Sequence, residues 1–233
     1  MTGPEMTGPE MDGPSDFAVA ARTDFTEIPV IDISALADPD RFDETAHHLV
    51  SVARDIGFFY LTHHGIPAAL CEDAFAASRE FFGLSDGQKA DVSVDHQQRG
   101  WMAQGMATLE GAKTSDAKEV FFWGRDVAPD DPDVLQGRAL VAPNQWPDRH
   151  APRLKQQLLP YYDAVLDLSR LVLRALARGL GKQPDFFAPA YVNPLGRGQL
   201  VYYPPQTDTD RDAERFGAAA HSDFGVLTIL MQD

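Results

Sequence analysis

The 233 residues carry 35 acidic against 20 basic side chains, a net charge of −15, in a chain that is 44% apolar and 24% charged. This is the composition of a soluble globular protein with room for one large domain or two small ones. The negative balance argues against nucleic acid or an anionic membrane as partner, since phosphate contacts need clustered Lys and Arg. A single cysteine, Cys71, excludes disulfide frameworks and Cys-based zinc or iron–sulfur sites within the chain. No run of apolar residues approaches membrane-spanning length, and residues 1–26 show no basic-then-apolar leader pattern. A cytoplasmic location is the expectation.

Met1-Thr-Gly-Pro-Glu5 and Met6-Thr-Gly-Pro-Glu10 repeat one another, and so frequent a Gly-Pro spacing predicts a disordered tail. Ile28 to Ile33 reads as a short strand, with Pro29 tolerated near its start. Asp38-Pro39 caps and opens a helix whose buried face is Phe42, Ala46, Leu49, Val50, Ala53 and Ile56, closed by Gly57. Phe58 to Thr62 follows as a second strand, then a helix over about 68–82 and a shorter one opened by Leu84-Ser85.

Residues 93–150 are rich in Gly, Pro and Asp and read as irregular, apart from Arg99-Gly-Trp101 and a strand at Lys118 to Gly124. Val120 and Phe122 alternate there, predicting one buried face. A long helix is expected over about 151–181, its stripe formed by Leu154, Leu158, Tyr161, Val165, Leu168, Val172 and Leu176. It should back a sheet, and Pro160 should kink its first part. Gly198 to Tyr203 reads as a strand ended by Pro204-Pro205, in which one of Tyr202 and Tyr203 faces inward. Val226 to Leu230 is a last β-branched, apolar run. Helices first and strands last give an α+β order.

Chemistry is carried by few residues. His47 and His48 are adjacent on a helix and point about 100° apart, so they cannot share a ligand. His63 and His64 point to opposite faces of an extended segment. His96 and His150 lack an acidic neighbour at ligand spacing. His221 has Asp223 two residues on, and i and i+2 share a face on a strand, so the two could converge on a divalent metal. With seven histidines at this acidity, roughly one such pair is expected by accident, and a structural His–Asp pair is the simpler local reading. Phe121, Phe122 and Trp123 read as core before substrate wall, with Trp101, Phe122 and Trp123 the places to look for a pocket. Glu119, Arg125 and Arg99 read as loop ion pairs. Cys71 has no evident activating base.

Several separated stretches agree, however. Ile28-Pro-Val-Ile-Asp-Ile33, Gly57-Phe-Phe-Tyr-Leu-Thr-His-His-Gly-Ile-Pro67, Phe81-Phe-Gly-Leu-Ser85, Lys118-Glu-Val-Phe121, Asn144-Gln-Trp-Pro147, Tyr202-Tyr-Pro-Pro205 and Ala220-His-Ser-Asp-Phe-Gly225 through Asp233 resemble, in order and spacing, the isopenicillin N synthase-like branch of the non-haem iron(II), 2-oxoglutarate-dependent dioxygenases. The resemblance implies an α+β chain with a double-stranded β-helix (a cupin-like jelly roll) core, incomplete here, behind a mixed α/β region. Its divisions would be a tail at 1–26, an N-terminal region at 27–148, the long backing helix and linker at 149–197, and the start of the oxygenase domain at 198–233. It implies Fe(II) on His221 and Asp223 as two members of a two-His, one-carboxylate set, with O2 and 2-oxoglutarate as cosubstrates and Tyr202 reaching a 2-oxoglutarate carboxylate. The implied reaction is hydroxylation, desaturation or ring closure of a small molecule, with release of succinate and CO2. Isopenicillin N synthase-like oxidation without 2-oxoglutarate and ethylene or succinate formation are rivals within the branch. The family's second histidine and its Arg-x-Ser lie well downstream of the carboxylate, and neither is among these 233 residues, so a fragment of a longer protein is expected. A non-catalytic remnant is the reading from another class. Gln199, where many members carry Arg, is a smaller departure. Substrate identity and oligomeric state are not legible.

Overall fold

The computed structural model describes residues 28–106, 116–205 and 225–233. Five strands and five α-helices make up its regular elements, an α+β content. The first strand, β1 (Val30–Asp32), runs into a 3-10 turn at Ile33–Ala37 and then helix α1 (Pro39–Asp55). Asp38 caps α1, accepting from the Asp40 N–H at 3.0 Å, with Pro39 at the first turn where its missing N–H costs nothing. The buried face of α1 is Ala46, Leu49 and Val52; Phe42, Val50, Ala53 and Ile56 are only half-buried, so the stripe is rotated slightly from the expected one. Gly57 ends the helix with φ +85, its N–H returning to the Val52 carbonyl at 3.2 Å.

Strand β2 (Tyr60–Thr62) lies parallel to β1, with Val30 opposite Tyr60 and Asp32 opposite Thr62. The connecting α1 makes this a βαβ unit. Helices α2 (Ala68–Phe82) and α3 (Asp86–Ala90) follow, the second opened by a reciprocal cap between Ser85 and Gln88.

The second sheet is antiparallel, in the order β3 (Gly100–Met102), β4 (Glu119–Gly124), β5 (Arg197–Tyr202). Trp101 faces Phe121 across β3–β4, and Phe121 faces Leu200 across β4–β5. The spot singled out at Arg99-Gly-Trp101 is thus a strand, β3, and the stretch read as irregular holds a one-turn helix α4 (Pro132–Leu135) capped by Asp131. Strand β4 also departs from its expected single buried face, because all six of its residues are buried. It is the central strand of the sheet, flanked on both edges, so its burial does not alternate.

Helix α5 (Leu154–Gly179) is the common spine. Its first half puts Leu154, Leu158 and Tyr162 into a cluster with Ala74, Ala77 and Phe81 of α2 and Trp101, Phe121 and Trp123 of the sheet. Its second half puts Leu168, Val172 and Ala175 against Ile31, Ile33, Ala46, Leu49 and Val52. The helix therefore backs a sheet only along its first half, and beyond that it packs on α1 and the β1 region. Tyr162 replaces Tyr161 in the buried stripe. Gly179 lets α1 and α5 touch, since a Cβ there would lie 2.4 Å from the Ala46 carbonyl oxygen. Pro160 is accommodated inside α5.

The segment 226–233 belongs to no strand among the described residues. Leu227 and Ile229 lean on the second cluster and Met231 on the first, while Val226 and Leu230 point out. Its alternation is the strand pattern read in the sequence; the ladder that would complete it is not present among the described residues.

Candidate functional site

His221 and Asp223 lie outside the described residues. Among the described residues no three of His, Cys, Asp and Glu come together as a metal site. Four of the six described histidines have polar partners. His47 Nδ1 meets the Asp43 carbonyl at 2.6 Å, and His63 Nδ1 lies 3.1 Å from Asp32. His64 Nδ1 accepts from the Ile66 N–H at 3.2 Å. His150 Nε2 meets Asp91 at 2.9 Å, an acidic partner 59 residues away that local spacing could not reveal.

What the structure does position is the sheet leading towards the His-x-Asp stretch. In an antiparallel pair, residues directly opposite share a face. One face carries Trp101, Glu119, Phe121, Trp123, Leu200 and Tyr202, and it meets α2 and α5. The other carries Met102, Val120, Phe122, Arg197, Gln199 and Val201, which belong to neither hydrophobic cluster.

On the helix-facing side, Glu119 is the hub of a buried network. Lys89 Nζ of α3 lies 2.7 Å from Glu119 Oε2, and Trp101 Nε1 donates to the same oxygen at 2.6 Å. The Lys89 ammonium also sits 4.9 Å from the Trp101 ring centroid. A buried cation and anion are tolerated when each satisfies the other and a further donor shares the load. The simple loop ion pair expected for Glu119 is thus a core network tying α3, β3 and β4 together. Arg125 does make loop ion pairs, to Asp131 at 3.4 Å and Asp133 at 2.9 Å.

Arg99 is a correction of another kind. It is 2% exposed and pairs with no carboxylate among the described residues; its guanidinium donates to the carbonyls of Gln97, Gln98 and Leu140. Burial pushes its pKa down, with the nearby Arg197 charge adding in the same direction and Tyr162 and Asp95 opposing. It lies directly over Gly124, where a Cβ would come 2.4 Å from a terminal nitrogen. Asn144 and Gln145 hold this corner: Asn144 exchanges two hydrogen bonds with the Gly124 backbone, at 2.8 and 3.0 Å, and Gln145 Nε2 donates to the Arg99 carbonyl at 2.8 Å. The Asn-Gln-Trp-Pro stretch is therefore a clamp on the ends of β3 and β4.

Tyr202 is at the end of β5, 41% exposed, with its ring stacked on Phe82 at 5.5 Å. Tyr203 is 52% exposed. Neither tyrosine is buried, because β5 is the outer strand of the described sheet and ends at Tyr202. Trp101 and Trp123 are core residues on the helix side, so of the three aromatics offered as pocket candidates only Phe122 lies on the other face. Cys71 is half-buried on α2 as a free thiol. A cavity of about 330 Å³ between α5 and residues 192–194, reached by Tyr162, Asp163 and Arg170, is also lined by Arg125 and Asp126, which directly follow β4.

Three comparisons bear on this arrangement. The family described as non-haem dioxygenase in morphine synthesis, N-terminal, matches residues 28–149, more than half of the chain. The 2-oxoglutarate-dependent dioxygenase tropC of Talaromyces stipitatus is 32% identical over 88% of this chain and 66% of its own length. The 2-oxoglutarate-dependent dioxygenase eupC of a Phoma species is 33% identical over 88% of this chain and 69% of its own. Among solved structures, full-length Neurospora crassa T7H in complex with alpha-KG is similar at a TM-score of 0.72, with 26% identity, over 88% of this chain and 64% of that one. A 2OG-Fe(II) oxygenase family protein from Caulobacter crescentus gives 0.67 at 29% identity, over 78% and 58%. The chain spans about two thirds of the length of the curated relatives it matches.

Proposed function

Because the chain belongs to the non-haem, 2-oxoglutarate-dependent dioxygenases, we propose that it forms the N-terminal region and first metal-binding strand of an iron(II) oxygenase acting on a small molecule. The observation that carries this reading is the likeness of its fold to an oxygenase that binds alpha-KG, in a chain that also holds His221-Ser-Asp223. The double-stranded β-helix is the architecture this reading assigns; the described residues hold a three-stranded antiparallel sheet. A cytoplasmic location goes with it; no helix among the described residues is long and apolar enough to cross a membrane.

In this reading His221 offers a neutral imidazole and Asp223 a carboxylate, a donor set that suits Fe(II). Iron(II), when bound, supplies O2 activation coupled to conversion of 2-oxoglutarate to succinate and CO2, so that one oxygen atom is left for the substrate. The remaining work falls to the protein. The clamp of Asn144 and Gln145 and the Glu119 network fix β3 and β4, giving the substrate-binding face a rigid backing. The resemblance assigns Tyr202 to a cosubstrate carboxylate; it lies at the end of β5 on the helix-facing side, 41% exposed, with its ring on Phe82.

The test uses the protein at the length of its relatives. Anaerobic Fe(II) and 2-oxoglutarate should give a weak visible charge-transfer band, lost in His221→Ala and Asp223→Ala. Absence of the band in the unaltered protein, with no 2-oxoglutarate consumed, removes the oxygenase reading. Tyr202→Phe should raise the 2-oxoglutarate concentration needed for half-saturation several-fold; an unchanged value removes Tyr202 from it.

A further inference from the structure

Most of the described lysines and arginines sit within ion-pair distance of a carboxylate, as a chain with a net charge of −15 would arrange. Arg197 does not. It begins β5 directly opposite Gly124, on the face away from α2 and α5, and its guanidinium carbon lies 5.5 Å from the centre of the Phe122 ring. No carboxylate among the described residues lies within ion-pair distance of it.

A second cation sits beside it. The Arg99 guanidinium covers Gly124, the Cα partner of Arg197, and the two charges repel. Arg99 is fully enclosed and already donates to three backbone carbonyls, so it cannot bind a ligand itself. Its charge nevertheless raises the local positive potential in a region with little water to screen it. Asp95 acts on Arg99, but no carboxylate among the described residues lies within ion-pair distance of Arg197, so the repulsion at Arg197 is relieved when an anion binds there.

Gln199 completes the geometry. It is two residues from Arg197, so both side chains leave β5 on the same face. Both are exposed, whereas Val120 and Phe122 beneath them are buried. Neither makes a side-chain hydrogen bond to a described residue. A guanidinium fork and a carboxamide donor side by side match the two oxygens of a carboxylate.

We infer that Arg197, assisted by Gln199 and the field of Arg99, is a specificity-determining residue that anchors a carboxylate of the small-molecule substrate. This rests on the oxygenase reading for the word substrate; the anion site itself does not depend on iron. The chemical class is a carboxylic acid, held at its carboxylate end by β5.

Benzoate and its neutral isostere benzamide test this by ligand-observed NMR titration of the iron-free protein at low salt. Benzoate should bind at millimolar concentration and benzamide about tenfold more weakly, the difference expected for a charge-assisted pair at a half-exposed site. Arg197→Gln should bring benzoate down to the benzamide level, while Arg197→Lys, which keeps the charge but loses the fork, should fall between the unaltered protein and Arg197→Gln. Equal binding of benzoate and benzamide, or benzoate binding unchanged in Arg197→Gln, overturns the proposal. Stoichiometric displacement of benzoate by 2-oxoglutarate also overturns it, because the site would then serve the cosubstrate. If the benzoate results hold while the iron and 2-oxoglutarate band is absent, the carboxylate site stands and the oxygenase reading alone falls.

Discussion

Replacing Lys89 by Met tests whether the Glu119 network is a core element. The Lys89 side chain is 4% exposed and that of Glu119 12%, so solvent screens their interaction little. Lys89→Met keeps the apolar stem and removes the charge. It leaves the Glu119 carboxylate buried with one donor, Trp101 Nε1 at 2.6 Å. Breaking a buried pair by removing one partner costs about 3–5 kcal/mol, and the surviving indole bond places this case near 3 kcal/mol. Adding Glu119→Gln to Lys89→Met removes the stranded charge while the amide oxygen still accepts from Trp101. The double variant should therefore be more stable than Lys89→Met by about 1 kcal/mol or more, a rescue by a second mutation in the same pair. Urea unfolding followed by tryptophan fluorescence, with a common m-value, measures both differences. A Lys89→Met cost below about 1 kcal/mol, or a double variant less stable than the single, would refute the idea that charge burial governs this corner.

Leu158, fully buried between α2, α5 and the sheet, should cost about 3 kcal/mol when cut to Ala, read as a lower urea midpoint. Gly179→Ala should also destabilise. Its Cβ would meet the Ala46 carbonyl oxygen at 2.4 Å, forcing α1 from α5, and the overlap of about 1–3 kcal/mol exceeds the helix-propensity gain of under about 1 kcal/mol; equal or greater stability would mean the two helices can separate freely. The Arg178 guanidinium hydrogen-bonds Asp43 and holds its carboxyl below the usual range. A carboxyl depressed in the folded state contributes stability that is present above its unfolded value, near pH 4, and is lost as pH falls through the folded one. Arg178→Gln should thus move the acid-unfolding midpoint to higher pH, and superimposable acid limbs would remove the pair from the pH response.

The elements whose cause is local were legible in the sequence. Asp38-Pro39 opens α1, Gly57 closes it, and Ser85 opens α3, because a cap is decided within four residues. Strand β3 was not legible. Gly-Trp-Met is too short to show a period, and it is a strand only because β4 pairs with it. The same holds for the contents of the sheet corner. Glu119 finds Lys89 30 residues away, Arg99 finds the Leu140 carbonyl 41 residues away, and Asn144 finds Gly124 20 residues away. No periodicity announces such partners. Asn144-Gln-Trp-Pro147 was visible as part of a resemblance, but its work as a clamp needed coordinates. The proposed iron ligands show the opposite case: His221 and Asp223 are suggested by sequence context alone and lie outside the described residues.

The two faces of the β3–β4–β5 sheet divide the labour, and the division explains the unusual burial of β4. Its odd-numbered side chains anchor the sheet to α2, α3 and α5 through Phe121, Trp123 and the Glu119 network. That anchoring fixes where the even-numbered face sits. A guanidinium fork selects a carboxylate only if its strand is held to a fraction of an ångström. Arg197 is on the outer strand of the described sheet, which alone would be free to shift. It is registered against Gly124, whose backbone Asn144 grips and whose missing side chain Arg99 fills. Gly124→Ala therefore does more than crowd a core position. It displaces the cation beside Arg197 and should weaken benzoate binding through geometry, with the Arg197 charge intact. Benzoate affinity unaltered in a folded Gly124→Ala protein would mean that the buried Arg99 contributes nothing to the site.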